Sequence, residues 1–224
     1  MIGVDEQLNL FKLFGSLLKK RIECIVIGGS AMLFYGAKIA TKDIDIVFLD
    51  ENDRKAFQKV AEGIGFKKKE FALIEKYKQF VKNKPILMER KDTKFDMFLN
   101  EVIIFKISDS IKNRIKEVHE FGNLIIKIAS PEDIILLKSA TDRIGDRVDA
   151  AELIKKFDIN WNIIIDESIW QMKNGKKIFP VFLFDFLDEL YEMGTNIPKN
   201  VIRRIRKIGE DEMIKALKGK NYEK

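Results

Sequence analysis

The chain has 224 residues, 46% of them hydrophobic and 34% charged, with a formal net charge of +6. That balance describes a foldable, soluble polypeptide and sets aside disordered and fibrous classes, while the one cysteine, Cys24, has no partner for an internal disulfide and suits a reducing compartment. The single histidine, His119, cannot build a Cys/His zinc site, which needs several ligands, so any chemistry must rest on carboxylates, lysines or metal ions.

In chain order, Met1 to Leu8 carries Asp5 and Glu6 where a basic leader belongs. No apolar run reaches the roughly 18 residues that span a bilayer. A cytoplasmic protein without membrane contact is the expectation. Leu10, Phe11, Phe14, Leu17 and Leu18 form one helical stripe over Leu8–Leu18. Ile22–Ile27 is short and β-branched, as a buried strand requires, with Cys24 inside it as a small hydrophobe. Gly28-Gly29 ends that strand, and Ser30 is placed to cap a short helix running to Gly36. Asp43–Phe48 alternates and then turns apolar, a second strand, and Phe57, Val60, Ala61 and Ile64 share helical spacing. Further strands are expected at Phe66–Leu73, Ile86–Glu89, Phe95–Leu99 and Leu124–Ile128, with a charged helix over Lys112–Glu120 that leaves His119 solvated.

From Ser130 the pattern changes. Ser130-Pro131-Glu132-Asp133 reads as a helix start, with a cap, a first-turn proline and acids that suit the dipole. Helices then follow at Ile134–Thr141, Arg147–Phe157, Asn162–Met172, Pro180–Met193 and Val201–Leu217. The expected architecture is α/β (α+β): a mixed sheet with flanking helices over residues 1–128, then a mostly helical domain over residues 129–224. The charge is uneven. From Lys199 onward nine Lys/Arg face four Asp/Glu, with Arg203, Arg204, Arg206 and Lys207 densest. Such a segment either holds nucleic-acid phosphates or is a solvated helix face.

Neither a P-loop nor a dinucleotide fingerprint is present around Gly28. A strand that ends in Gly28-Gly29-Ser30 and enters a helix still leaves backbone N–H groups free for an anion. Asp43 and Asp45 lie two apart on a strand, so both carboxylates point to one side, where they repel unless a cation sits between them. Magnesium favours such hard oxygens and completes its shell with water and phosphates. Asp96 interrupts the apolar strand Phe95–Leu99 and needs a reason to be there. A neighbouring strand can bring it to the pair, and three carboxylates can hold two metal ions. A lysine partner for Asp96, such as Lys94 from the opposite strand face, is the competing account.

Ile27-Gly28-Gly29-Ser30, a short helix, and Thr41-Lys42-Asp43-Ile44-Asp45-Ile46 together resemble the signature of the DNA-polymerase-β-like nucleotidyltransferase superfamily. Within it, Ser130–Lys138 followed by Arg143–Asp149 looks similar to small prokaryotic proteins related to AbiEii-type toxins. The resemblance implies a nucleotidyltransferase-fold catalytic domain that transfers a nucleoside monophosphate from NTP to an acceptor hydroxyl and releases pyrophosphate. It implies nucleotide binding by Gly28, Gly29, Ser30, Thr41 and Lys138. It also implies Mg2+, in a two-metal site, held by the catalytic acids Asp43, Asp45 and Asp96. Asp146 and Asp149 are expected to pair with Arg143 or Arg147. Relatives often carry an arginine two positions before Thr41, where this chain has Ile39, with Lys38 beside it as a substitute. The implied acceptor is RNA, especially tRNA, reached through the basic C-terminal segment, with an antitoxin protein as a further partner. A protein or small-molecule acceptor is the alternative, as is a nucleotide- or partner-binding module that has lost turnover.

Overall fold

The computed structural model describes residues 1–69 and 84–220. The chain divides into two compact units. One takes Met1–Ile103 with Asp109–Ser130, and the other takes Ile104–Ser108 with the chain from Pro131 onward.

The first unit runs β1 (Ile2–Gly3), α1 (Val4–Leu17), β2 (Ile22–Ile27), α2 (Gly28–Phe34), β3 (Ala40–Thr41), β4 (Ile44–Phe48) and α3 (Glu51–Gly63). It continues through β5 (Lys67–Lys69), β6 (Ile86–Arg90), β7 (Thr93–Leu99) and β8 (Glu101–Val102); β9 (Phe105–Lys106) belongs to the other unit. After it come α4 (Asp109–Arg114), β10 (Val118–Phe121) and β11 (Leu124–Ile128). The main sheet has the order β10-β11-β2-β4-β7-β6-β5 and is mixed: β11/β2 and β4/β7 are parallel, while β2/β4 and β7/β6 are antiparallel.

Alternation along the strands decides what faces what. Phe95 and Phe48 turn to the helix side, where Phe14 of α1 and Phe57 of α3 stack with ring centroids 4.2 Å apart. Phe95 meets both rings at 5.2 and 5.3 Å, and all four phenylalanines are fully buried. Burying such rings contributes about 1.5–3 kcal/mol each. Period two then sends Lys94 and Asp96 to the opposite face, away from the aromatic core. Asp50 starts α3 by accepting from the backbone N–H groups of Asn52 and Asp53. At the other side of the sheet α1 presses on the β10–β11 hairpin so closely that a Cβ on Gly15 would stand 1.5 Å from the Phe121 carbonyl oxygen.

Three expectations need correction or a boundary. Ser30 is not a cap: α2 begins at Gly28 with Ile27 in the N-cap position, so Ser30 lies inside the helix. The segment expected to be helical over Lys112–Glu120 ends its helix at Arg114. The β10–β11 ladder claims Val118–Phe121, because the turn at Gly122 (φ +59) folds it back onto β11. His119 is consequently half-buried, paired with Glu117 at 2.8 Å and 5.0 Å from the Phe34 ring. Of the strand expected at Phe66–Leu73, β5 is described over Lys67–Lys69, and residues 70–73 lie outside the described residues.

The second unit contains α5 (Pro131–Lys138), α6 (Ile144–Lys156), α7 (Trp161–Asn174), α8 (Phe179–Glu192) and α9 (Lys199–Lys220). Phe105 packs on Phe179 at 5.3 Å, joined in the core by Leu183, Phe186, Leu187 and Ile205. Ser108 donates to buried Glu167, and Gln171 clamps Lys106 through both of its backbone groups, which fixes the Ile104–Ser108 segment to α7. Among the described residues no helix is long and apolar enough to cross a membrane.

Candidate active site

The acids expected to act together are placed by ladder register. β4 and β7 run parallel with Asp45 directly opposite Asp96. Asp43 precedes β4 by one residue, outside the ladder, and lines a cleft together with Asp96. All three are half-buried, and Asp43 Oδ1 is a buried oxygen without a hydrogen-bond partner. A carboxylate oxygen in that state is costly unless a cation or donor reaches it. Lys94 Nζ stands 3.8 Å from it, beyond hydrogen-bonding distance.

Gly28 and Gly29 are required by close packing at this point. Gly28 has φ +60, and a Cβ there would come 2.6 Å from Asp45 Oδ2. The turn therefore seats its backbone directly against the acid, which no side chain permits. A Cβ on Gly29 would meet Thr41 Oγ1 at 2.6 Å and the Lys38 stem at 3.6 Å. Thr41 donates to the Asp43 carbonyl at 3.2 Å and thereby fixes the approach to β4. Ser30 is fully buried and donates to Gln7 Oε1 at 2.7 Å, while Gln7 Nε2 donates to the Ser30 carbonyl at 3.2 Å. That pairing with α1 was not anticipated from sequence, since a buried glutamine on a helix carries no motif. Ile39, at the position where relatives carry arginine, is 93% exposed, and Lys38 is the cation whose stem lies beside Gly29.

Beside the acids an open cleft of about 180 Å³ is lined by Asp43, Asp96, Lys94, Glu89, Lys69, Leu87 and Met88. Register explains the set: Asp45, Asp96, Leu87 and Lys69 form one row across four strands, and Lys94 lies opposite Glu89 in the next. Lys94 is therefore on the same strand face as Asp96 and beside Asp43, not on the opposite face. Glu89 and Lys69 pair at 2.8 Å; the hydrogen bond holds the Glu89 carboxyl below its ordinary range and raises the Lys69 ammonium. Glu89 and Lys69 meet because β5 pairs antiparallel with β6, with Lys67 opposite Glu89 and Lys69 opposite Leu87, a pairing that the sequence alone does not display.

The donor set fits a hard divalent cation, because an ion at Asp43 and Asp45 would take up the oxygen that the protein leaves unmatched. Among the described residues no group of three or more Asp, Glu, His or Cys side chains is placed to hold a metal ion. Asp43 and Asp45 would supply at most two protein ligands, and an ion held there would keep water and substrate phosphates in the rest of its shell.

Lys138, in the second unit, is 6% exposed and held by Asp146 and Asp149, each at 2.7 Å. Thr141 and Arg143 also donate to Asp146. Burial pushes the Asp146 carboxyl up, but the Lys138 charge, the hydrogen bonds of Lys138 and Thr141, and Arg143 together hold it below its ordinary value. The expected pairing of Asp146 with Arg143 is present at 3.0 Å, whereas Arg147 pairs with Glu189 and the Thr141 carbonyl.

The profile of a protein family described as "Nucleotidyltransferase of unknown function (DUF6036)" matches residues 1–179. No curated protein matches the chain. Among solved structures, that of ANT(2")-Ia in complex with adenylyl-2"-tobramycin aligns at 16% identity with a TM-score of 0.41, over 82% of this chain and 98% of that one.

Proposed function

The chain belongs to the DUF6036 nucleotidyltransferase family, and from that premise we propose that it moves a nucleoside monophosphate from a bound NTP to an acceptor hydroxyl at the Asp43/Asp45/Asp96 face. The observation that carries this reading is the register of Asp45 with Asp96 beside the unmatched Asp43 oxygen. Asp43 and Asp45 would hold Mg2+, with Asp96 completing a two-metal arrangement. Such ions neutralise charge that develops on the phosphates. Asp96 would orient the acceptor hydroxyl and accept its proton as the oxygen attacks the α-phosphorus and the bond to pyrophosphate breaks. The backbone at Gly28-Gly29, with the Lys38 stem alongside, would receive the triphosphate, and Thr41 and Ser30 would fix the turn. Positioning and charge neutralisation suffice for this chemistry, so the absence of a histidine at the acids is no obstacle. Lys138 is engaged by two carboxylates and takes no part in the proposed transfer.

The acceptor we infer is RNA. Arg203, Arg204 and Lys207 are exposed along α9, a row suited to backbone phosphates. The test is transfer of label from α-labelled NTPs to total RNA, with an aminoglycoside and a protein extract as parallel acceptors, beside an Asp43→Ala/Asp45→Ala control. Label on RNA that disappears in the control is expected. Label on another acceptor would overturn the RNA reading alone. NTP binding without transfer to any of them would point to a binding module, and no NTP binding would overturn the function itself.

A further inference from the structure

The cleft beside the acids holds charges of alternating sign: Asp43, Lys94, Glu89 and Lys69 follow one another outward to the β5 edge. Both contacts at its ends are ion pairs, Lys94 to Asp43 at 3.8 Å and Lys69 to Glu89 at 2.8 Å. Lys94 stands between two carboxylates, because its ladder partner is Glu89. Its hold on Asp43 is loose. The distance exceeds a hydrogen bond, Lys94 is nearly half exposed, and Asp43 Oδ1 is left without a donor. A lysine placed to satisfy Asp43 structurally would close that gap to about 2.7–2.9 Å.

We propose that Lys94 is a resident counter-cation for Asp43, which the catalytic divalent ion displaces and which then turns to Glu89. The inference rests on the reading of Asp43 as a metal ligand. Two like charges cannot share that oxygen, so the ammonium leaves as the ion enters, and its ladder partner Glu89 receives it. Glu89 then has two lysines, and Lys69 is freed toward the cleft. Metal loading in this way offsets the excess of acids in a cleft lined by three carboxylates and two ammoniums, so that it accepts an anionic group of the substrate. Lys94 is a positioning residue: it sets how tightly the metal binds and couples metal to substrate, and it takes no part in bond making.

Direct titration with Mn2+, followed by its EPR signal in the absence of NTP, tests this on the full chain. Lys94→Met and Lys94→Gln are expected to bind Mn2+ about three- to tenfold more tightly than wild type, Lys94→Arg to bind like wild type, and Asp43→Asn to bind weakly. In a second titration, inorganic pyrophosphate should bind wild type more tightly with Mn2+ than without, and Lys94→Met should lose most of that gain. Lys94→Met and Lys94→Gln with wild-type Mn2+ affinity, while Asp43→Asn has lost it, would overturn the counter-cation role and leave Asp43 as a ligand. Asp43→Asn that binds like wild type, or a wild type that binds no Mn2+, would overturn the metal reading and the inference with it. Two substitutions at a partly exposed position guard against a folding defect in either one.

Discussion

The molecule treats charge in opposite ways in its two units. In the helical unit Lys138 is buried and met by Asp146 and Asp149, Asp146 is met by Thr141 and Arg143, and Arg147 is met by Glu189, the Thr141 carbonyl and the Phe186 ring at 4.9 Å. On the sheet unit Asp43 keeps a buried oxygen without any hydrogen bond, its lysine stops at 3.8 Å, and a glycine backbone is pressed against Asp45. A buried charge whose neighbours saturate it is doing structural work, because any loss leaves an uncompensated partner. A carboxylate left short of partners is strained in the resting protein and gains when something else arrives. The difference separates framework from site without appeal to motif.

Breaking the saturated cluster should have the largest effect. Lys138→Met leaves Asp146 and Asp149 facing each other in a buried place and is expected to lower unfolding stability by about 3–5 kcal/mol, measured by urea denaturation. A loss under about 1 kcal/mol would mean that the cluster is not framework. The mirror experiment is Asp45→Asn. Transfer should fall on the order of 10²–10³-fold, while the melting temperature stays level or rises as repulsion with Asp43 is relieved. A fall in both would place Asp45 with the framework and erase the contrast.

Acid titration sharpens the comparison further. The folded value of Asp146 lies below its unfolded value, so its contribution is full above the ordinary carboxyl range near pH 3.8 and is lost as pH falls through the lower, folded value. Stability of wild type should therefore drop more steeply below pH 4 than that of Asp146→Asn, read by urea midpoints at each pH. Parallel curves would show that Asp146 is not stabilised as an anion.

Only part of this contrast is legible from residues alone: the resemblance implies Lys138 as a nucleotide contact, whereas in the fold Asp146 and Asp149 hold it. Asp43 stands one residue before β4, where alternation does not reach, whereas an acid in the apolar Phe95–Leu99 run marks Asp96, because local alternation needs no knowledge of partners. Ladder register does, which is why Asp45 opposite Asp96 was a possibility in sequence and a fact in structure. The same reason hid the Glu89–Lys69 pair and the station of Lys94 beside Asp43. Ser30 differs because a serine after Gly-Gly suits a cap locally, yet tertiary contact with Gln7 holds it inside α2. His119 differs because the local charge density suits a solvated helix, while the turn at Gly122 imposes a hairpin.

The smallest stability effect, and the one that adds a third kind of charge to the comparison, belongs to α9. Arg206 is occupied at 2.7 Å by Glu210 and lies 5.8 Å from the Phe184 ring, whereas Arg203 and Arg204 project to solvent from the same helix. Exposed substitutions of this kind shift stability by no more than about 0.5 kcal/mol, so Arg203→Ala/Arg204→Ala should melt like wild type. If these side chains meet RNA phosphates, each lost contact to a single strand reduces the slope of log K against log salt by about 0.7. The double variant should then flatten that slope by about 1.4 in filter-binding titrations from low to moderate salt. Arg206→Ala should change it less, because its guanidinium already has a carboxylate to neutralise. Equal flattening by Arg206→Ala would show that the Glu210 pair opens on binding, and an unchanged slope in the double variant would leave the α9 arginines as solvated surface.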